Sequence, residues 1–209
     1  MLKQALLENG LIAILRGLRP EEAPAVGDVL YQAGFRIIEV PLNSPQPYDS
    51  IRLLRQSLPA NCLIGAGTVM TPEQVRLVKD AGGQLIVMPH SDAKVLRAAK
   101  EAGLYLAPGV ATPNEAFAAL AEGADVLKLF PAEQMNPGVV KAWLAVLPIG
   151  TPLIPVGGIT PDNMKVFLDA GVKGFGLGSG LFKPGMSVAD VAERAHAYVA
   201  AWKQLTERF

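Results

Sequence analysis

The chain has 209 residues, half of them hydrophobic, with 19 lysines and arginines against 19 acidic residues. A chain of that size and zero formal charge has ample material for a core and no basic footprint for nucleic acid or an anionic membrane. Its one cysteine, Cys62, rules out an intrachain disulfide and a cysteine metal cluster, and its apolar neighbours suggest a buried core thiol and not a nucleophile.

The segment from Met1 to Gly10 has charges inside its apolar stretch and no cleavage site, so it reads as a short helix and not as a signal peptide. No run approaches the length of a membrane span, and the expected setting is the cytoplasm. Leu11 to Leu15 is the first predicted strand, ended by Arg16 and Gly17, and a helix follows from Pro20 to Ala33, closed by Gly34. Phe35 to Val40 is the second strand, then a polar loop from Pro41 to Pro45 and a helix from Gln46 to Ser57. Cys62 to Ala66 is the third strand, running out into Gly67 and Thr68. Thr71 and Pro72 open the next helix, because threonine caps and proline suits the first helical position; it runs to Ala81 and stops at Gly82 and Gly83.

Gln84 to Met88 is the fourth strand, and Ser91 and Asp92 begin a helix through Ala102, stopped by Gly103. Leu104 to Ala107 is the fifth strand, left through Pro108 and Gly109, with a helix opened by Thr112 and Pro113 through Ala121. Val126 to Phe130 is the sixth strand and Pro137 to Leu147 a helix. Leu153 to Val156 is the seventh strand; Thr160 and Pro161 open the helix that Gly171 stops. Gly174 to Leu177 is the eighth strand, and the last helix runs from about Val188 to Leu205.

Eight strand–helix units after a short leading helix, with no linker or low-complexity tract, predict one domain over residues 1–209: an α/β fold with parallel strands closed as a (β/α)8 barrel. A doubly wound open sheet is the competing topology. In a barrel the active site lies at the carboxyl ends of the strands. The polar residues and glycines at those ends are Arg16, Glu39, Asn43, Thr68, His90, Lys128, Gly157, Gly158, Gly178 and Ser179.

Lys128 stands alone in the apolar run Val126 to Phe130. A lysine there is unfavourable unless it is paired or gives up its charge, and a neutral amine can attack a ketone to form a Schiff base. Strand alternation puts Val126, Lys128 and Phe130 on one face, with Leu127 and Leu129 on the other and adjacent Asp125 turned away from the lysine. Glu39, on the face of Ile37 in the second strand, can reach the barrel centre from across the sixth strand. A carboxylate near an amine supplies the proton shuttle that carbonyl condensation needs; a structural ion pair has the same spacing.

Gly157-Gly158 follows the seventh strand and Gly178-Ser179-Gly180 the eighth, the two places where barrels often bind phosphate through bare backbone N–H groups. Arg16 adjoins the eighth strand when the barrel closes and suits a phosphate or a carboxylate. Thr68 can meet a substrate carboxylate or cap a turn. His90 and His196 have no metal-ligand spacing; His90 can edge the site and His196 reads as surface. Trp143 and Trp202 read as helix residues packed on the barrel or at a subunit contact.

The segments Leu-Ile-Ala-Ile-Leu-Arg-Gly (11–17), Ile-Glu-Val-Pro-Leu-Asn-Ser-Pro (38–45), Gly-Ala-Gly-Thr-Val (65–69), Leu-Lys-Leu-Phe-Pro-Ala-Glu (127–133) and Val-Gly-Gly-Ile-Thr-Pro (156–161) together resemble the class I 2-keto-3-deoxy-6-phosphogluconate/6-phosphogalactonate aldolases, over nearly the whole chain and in order. The resemblance implies Lys128 as the Schiff-base lysine, Glu39 as the acid/base, Arg16, Gly157, Gly158, Gly178 and Ser179 near the phosphate, and Thr68 near the pyruvyl end. It also implies a homotrimer, with no metal or other cofactor. The gluconate-type enzymes usually carry an arginine where this chain has Asn43 and a hydroxyl residue where it has Val156, so both positions look like the galactonate type. His90, after Met88-Pro89, departs from the more usual asparagine or glycine. The expected reaction is retro-aldol cleavage of 2-dehydro-3-deoxy-6-phosphogalactonate to pyruvate and glyceraldehyde 3-phosphate. The alternatives are the gluconate-type or a dual-epimer enzyme, a metal-dependent aldolase, and a sugar-phosphate-binding barrel without catalysis.

Overall fold

The structure, a computed structural model, describes residues 1–206. Helix α1 (Leu2–Glu8) leads into strand β1 (Leu11–Ile14), and strands then alternate with helices: α2 (Ala23–Ala33), β2 (Ile37–Pro41), α3 (Pro47–Ser57), β3 (Leu63–Gly67), α4 (Pro72–Asp80), β4 (Leu85–Val87) and α5 (Ala93–Glu101). The second half continues as β5 (Tyr105–Ala107), β6 (Gly109–Val110), α6 (Pro113–Ala121), β7 (Leu127–Leu129), α7 (Pro137–Leu144), β8 (Leu153–Pro155), α8 (Met164–Ala170), β9 (Phe175–Leu177) and α9 (Val188–Thr206). Every strand pairing is parallel. One sheet has six strands in the order β5-β4-β3-β2-β1-β9 and the other has three, β6-β7-β8.

The expected fifth strand is longer than its apolar run suggests and is split in two. Pro108 has no N–H to give a ladder, so the pairing breaks there and resumes at Gly109. The carbonyl of Pro108 still accepts from the Lys128 N–H at 2.9 Å, and the carbonyl of Leu106 accepts from Asp125 and Val126. At the other end of the small sheet, Val156, just past β8, bridges in parallel to Gly176 of β9.

The predicted caps form where side chains can reach backbone donors. The Thr71 hydroxyl accepts from the Gln74 N–H at 3.2 Å, Asp92 accepts from Lys94 and Val95, and Thr112 with Glu115 forms a reciprocal capping box. Other boundaries shift. Pro20–Glu22 is a 3-10 turn ahead of α2, and α3 starts after Gln46, which is left-handed at φ 41°. Helix α7 ends at Leu144, and α8 starts at Met164 and not at Pro161. Asn163 causes the delay: its Oδ1 accepts from the Thr160 N–H at 3.0 Å while its Nδ2 donates to the Gly158 carbonyl at 2.8 Å. That ties Thr160–Asn163 into the turn after β8.

Strand alternation divides the core in two, as expected for strands covered on both faces. Leu11, Ala13 and Leu15 face the helices, while Ile12 and Ile14 join Ile37, Leu63, Leu85, Val126 and Ile154 in an inner cluster that Leu2, Ala5 and Leu6 of α1 extend at one end. Fully burying a Leu, Ile or Phe side chain stabilises by about 1.5–3 kcal/mol, so both layers matter. Phe175 packs edge-on against Phe167 and Trp202 at centroid distances of 6.5 and 6.3 Å, which puts Trp202 against the strands. Cys62 is buried, and burial pushes its thiol up to about 11, away from nucleophilic chemistry.

Candidate active site

The two polar groups at the centre come from facing strands. On β7, Leu127 and Leu129 join the helix-facing core and Lys128 points the other way, paired in register with Gly109 and Ile154. On β2, Glu39 pairs in register with Ile14 and Gly65. Lys128 and Glu39 border one small cavity with apolar side chains including Ile12, Ile14, Val126 and Val156. Lys128 is 7% exposed and Glu39 is 1% exposed. Asp125 has another task, accepting from the Leu106 N–H at 2.8 Å.

The dry setting moves both groups toward their neutral forms. Burial pushes the Glu39 carboxyl up to about 7, against the opposing pull of Lys128 and then Arg16. Burial lowers the Lys128 amine, opposed by Glu39 and assisted by Arg16. Glu39 Oε2 is buried without a hydrogen-bond partner among the described residues. The strand beside it makes room: a Cβ on Gly67 would lie 1.9 Å from that oxygen. The Lys128 Nζ sits 4.8 Å from the centre of the Phe130 ring, so the expected face of Lys128 and Phe130 is present.

Above this floor opens a cleft of about 620 Å³, bordered by Lys128, Val156, Gly157, Gly158, Gly178 and Ser179, with Arg16 and Asn43 on the side of β1 and β2. Arg16 Nη1 donates to Asn43 Oδ1 at 2.6 Å, and the Gly17 N–H donates to Ser44 Oγ at 2.9 Å, so the ends of β1 and β2 are fastened together. The turn after β9 is tight, with the N–H groups of Leu181 and Phe182 both donating to the Gly178 carbonyl. Among the described residues, the N–H groups of Gly158, Ile159, Ser179 and Gly180 find no acceptor in the chain. These donors, with the Arg16 guanidinium, form a rim suited to an oxyanion. Buried Tyr198 steadies it by donating its hydroxyl to the Ile159 carbonyl at 2.8 Å.

The double glycine also has a local cause that the sequence does not show. Gly157 and Gly158 have φ of 112° and 63°, in the region that favours glycine. The Glu133 carboxylate packs on them, with Oε2 only 2.2 Å from where a Gly157 Cβ would stand. Thr68 does not border the cleft; it follows Gly67, beside Glu39, with φ 56°. That value is unusual for a β-branched residue and marks a strained turn. His90 is half-buried and does not border the cleft, and its Nδ1 has no partner among the described residues. Glu133 and Lys183 border the cleft and escaped the strand-end filter. Glu133 lies in a 3-10 turn past β7 and Lys183 in a loop past β9, and neither position has a period to mark it.

A second cleft of about 620 Å³ lies at the amino ends of the strands, under α1, bordered by Leu2, Leu6, Tyr105 and Val126. It lacks a comparable pair of neutralised groups, and parallel α/β folds place chemistry at the other end. Among the described residues, no cluster of His, Cys, Asp and Glu is arranged to hold a metal ion, and no helix is long and apolar enough to cross a membrane.

The fold is parallel α/β, with a cleft at the carboxyl ends of its strands. The model of the aldolase family described as KDPG and KHG aldolase matches residues 2–199, and the chain belongs to that family. It is 49% identical over 196 residues to a probable 2-dehydro-3-deoxy-6-phosphogalactonate aldolase of Rhizobium meliloti, covering 94% of this chain and 92% of the relative. It is 45% identical over 197 residues to the 2-dehydro-3-deoxy-6-phosphogalactonate aldolase of Escherichia coli, covering 94% of this chain and 96% of that one. A solved structure described as native KDPGal superposes with a TM-score of 0.92 at 45% identity, over 94% of this chain and 96% of that chain. The protein is an aldolase, a carbon–carbon lyase.

Proposed function

We propose that the chain cleaves 2-dehydro-3-deoxy-6-phosphogalactonate to pyruvate and glyceraldehyde 3-phosphate through a Schiff base on Lys128. The observation that carries this reading is the buried Lys128–Glu39 pair, with both groups pushed toward neutrality, opening to a cleft with an anion-ready rim. The names of the relatives supply the substrate.

The Lys128 amine attacks the C2 ketone, and the carbinolamine loses water as Glu39 supplies and recovers a proton. Glu39 then takes the proton of the C4 hydroxyl. The C4–O electrons form the aldehyde, and the C3–C4 bond electrons move into the iminium to give an enamine. Glyceraldehyde 3-phosphate leaves, C3 takes up a proton, and water releases pyruvate and restores the amine. Arg16, the two glycine turns and Ser179 anchor the phosphate, so that its binding energy positions the reacting carbons. The family resemblance implies Thr68 near the pyruvyl end, and Thr68 follows Gly67, which packs on Glu39 at the floor.

At the epimer-determining carbon, Val156 offers an apolar wall and Asn43 holds Arg16 in place. An apolar wall favours the galactonate series by withholding the hydrogen bond that a hydroxyl side chain would give to the other epimer. We further propose that residues 1–209 form one domain and that the two sheets close into a (β/α)8 barrel. The bridge from Val156 to Gly176 and the hydrogen bonds across Pro108 support closure. The family resemblance favours a homotrimer, and a single unpaired cysteine suits the cytoplasm. In the decisive experiment, Lys128→Met abolishes pyruvate release while a phosphorylated ligand still binds. Sustained pyruvate release by that variant would remove Lys128 from the chemistry.

A further inference from the structure

The cleft is chemically graded. Val156 borders both the floor cavity and the cleft, so Gly157 lies one residue above the floor. Glu133 belongs to this level. The Ala132 N–H donates to the Val156 carbonyl at 2.9 Å, which fastens the chain after β7 beside the end of β8 and lays the next side chain against Gly157 and Gly158. The cations Arg16 and Lys183 border the same cleft. Pro184 packs on Gly17, 2.5 Å from where its Cβ would stand, which brings Lys183 beside the turn of Arg16.

A carboxylate between a ketone site and a phosphate rim needs an explanation. A phosphate placed against it would meet a like charge, whereas a hydroxyl would meet a strong acceptor. The hydrogen bonds of its turn use backbone groups and the side chain of Asn136, so the exposed Glu133 carboxylate has no partner among the described residues and is open to a ligand in the cleft. In the proposed substrate, C2 goes to Lys128, the C4 hydroxyl to Glu39 and the phosphate to the rim. One hydroxyl is left, on C5, between the bond that breaks and the phosphate.

We infer that Glu133 is a specificity-determining residue that accepts a hydrogen bond from the hydroxyl on the carbon next to the phosphate-bearing carbon. The inference rests on the aldolase reading above. The glycines beneath it then serve two purposes, leaving room for the carboxylate and turning the backbone toward the phosphate. Glu133 selects acceptor aldehydes with a hydroxyl at that carbon and discriminates against those that carry hydrogen or an anion there.

The test is run in the condensation direction with pyruvate and two acceptors, D-glyceraldehyde 3-phosphate and 3-phosphooxypropanal, which lacks only that hydroxyl. The wild-type chain favours the hydroxylated acceptor in kcat/KM by about tenfold to a hundredfold, the range of a hydrogen bond to a charged group. Glu133→Ala brings the two acceptors to within about threefold of each other by lowering the hydroxylated one alone, as loss of that single bond requires. Glu133→Gln, which keeps a carbonyl acceptor, restores part of the preference. Borohydride capture of pyruvate on Lys128, which uses no acceptor, stays at the wild-type level in both variants and shows that they are folded. An equal loss for both acceptors in Glu133→Ala would overturn the inference, because a residue that only braces the turn affects them alike. A wild-type preference that survives in Glu133→Ala overturns it as well. A wild-type chain that captures no pyruvate overturns the aldolase reading and this inference with it.

Discussion

Replacing Glu39 by glutamine removes a buried acid while keeping its shape, and the effect on stability has a defined sign and pH window. The carboxyl moves from 4.5 to about 7 on folding because burial disfavours its charge. Below pH 4.5 the carboxyl holds its proton in both states. Between 4.5 and about 7 the folded chain keeps a proton that the unfolded chain has released, so wild-type stability falls as pH rises through that window. The window spans about 2.5 pH units, and at about 1.4 kcal/mol per unit the full loss is about 3–4 kcal/mol. Lys128 acts in the opposite sense at higher pH: its folded value lies below 10.5, so its share of stability returns as pH rises toward 10.5. Glu39→Gln cannot release a proton and lacks the fall. Urea unfolding at fixed chain concentration, at about pH 5 and about pH 8, measures it. The expected outcome is a variant that gains on the wild type by about 3 kcal/mol between those two points. Parallel stability curves for the two proteins would refute the claim that Glu39 is held near neutrality by burial.

Three substitutions probe other parts of the molecule. Val156→Thr adds a hydroxyl at the floor of the cleft and is expected to move the kcat/KM ratio of the two C4 epimers toward the gluconate series by about tenfold, read by pyruvate release from each. Gly157→Ala meets φ 112° and the Glu133 carboxylate; the side chain can swing aside but the backbone cannot, so about 1–2 kcal/mol is lost in urea unfolding and Glu133→Ala does not restore it. Phe175→Ala empties a fully buried site between Phe167 and Trp202, and a loss of about 3–5 kcal/mol is expected in the same assay.

The alternation of elements was legible because each strand is apolar on both faces and each of α4, α5 and α6 opens on a side chain that caps it. The inward direction of Lys128 and Glu39 followed from strand alternation alone. The delayed start of α8 was not legible, because Thr160 and Pro161 form a sound helix opening until Asn163 turns back to hold Gly158. The continuation of the fifth strand past Pro108 depends on acceptors offered to a distant strand, which no local pattern records. The Gly157-Gly158 pair pointed to an anion before the carboxylate beside it was visible, because a loop residue such as Glu133 reaches the cleft through one backbone hydrogen bond from its neighbour Ala132. Thr68 was selected for its hydroxyl, yet what distinguishes it in the structure is its left-handed backbone next to Glu39.

The central claim is that Lys128 is the amine that forms the Schiff base, and one measurement reaches it without steady-state kinetics. The protein is incubated with pyruvate, reduced with borohydride, digested and mapped by mass spectrometry. A single reduced pyruvyl adduct on Lys128 is the expected result, absent without pyruvate and absent in Lys128→Met. No adduct, or an adduct on an exposed helix lysine such as Lys79 or Lys165, would contradict it.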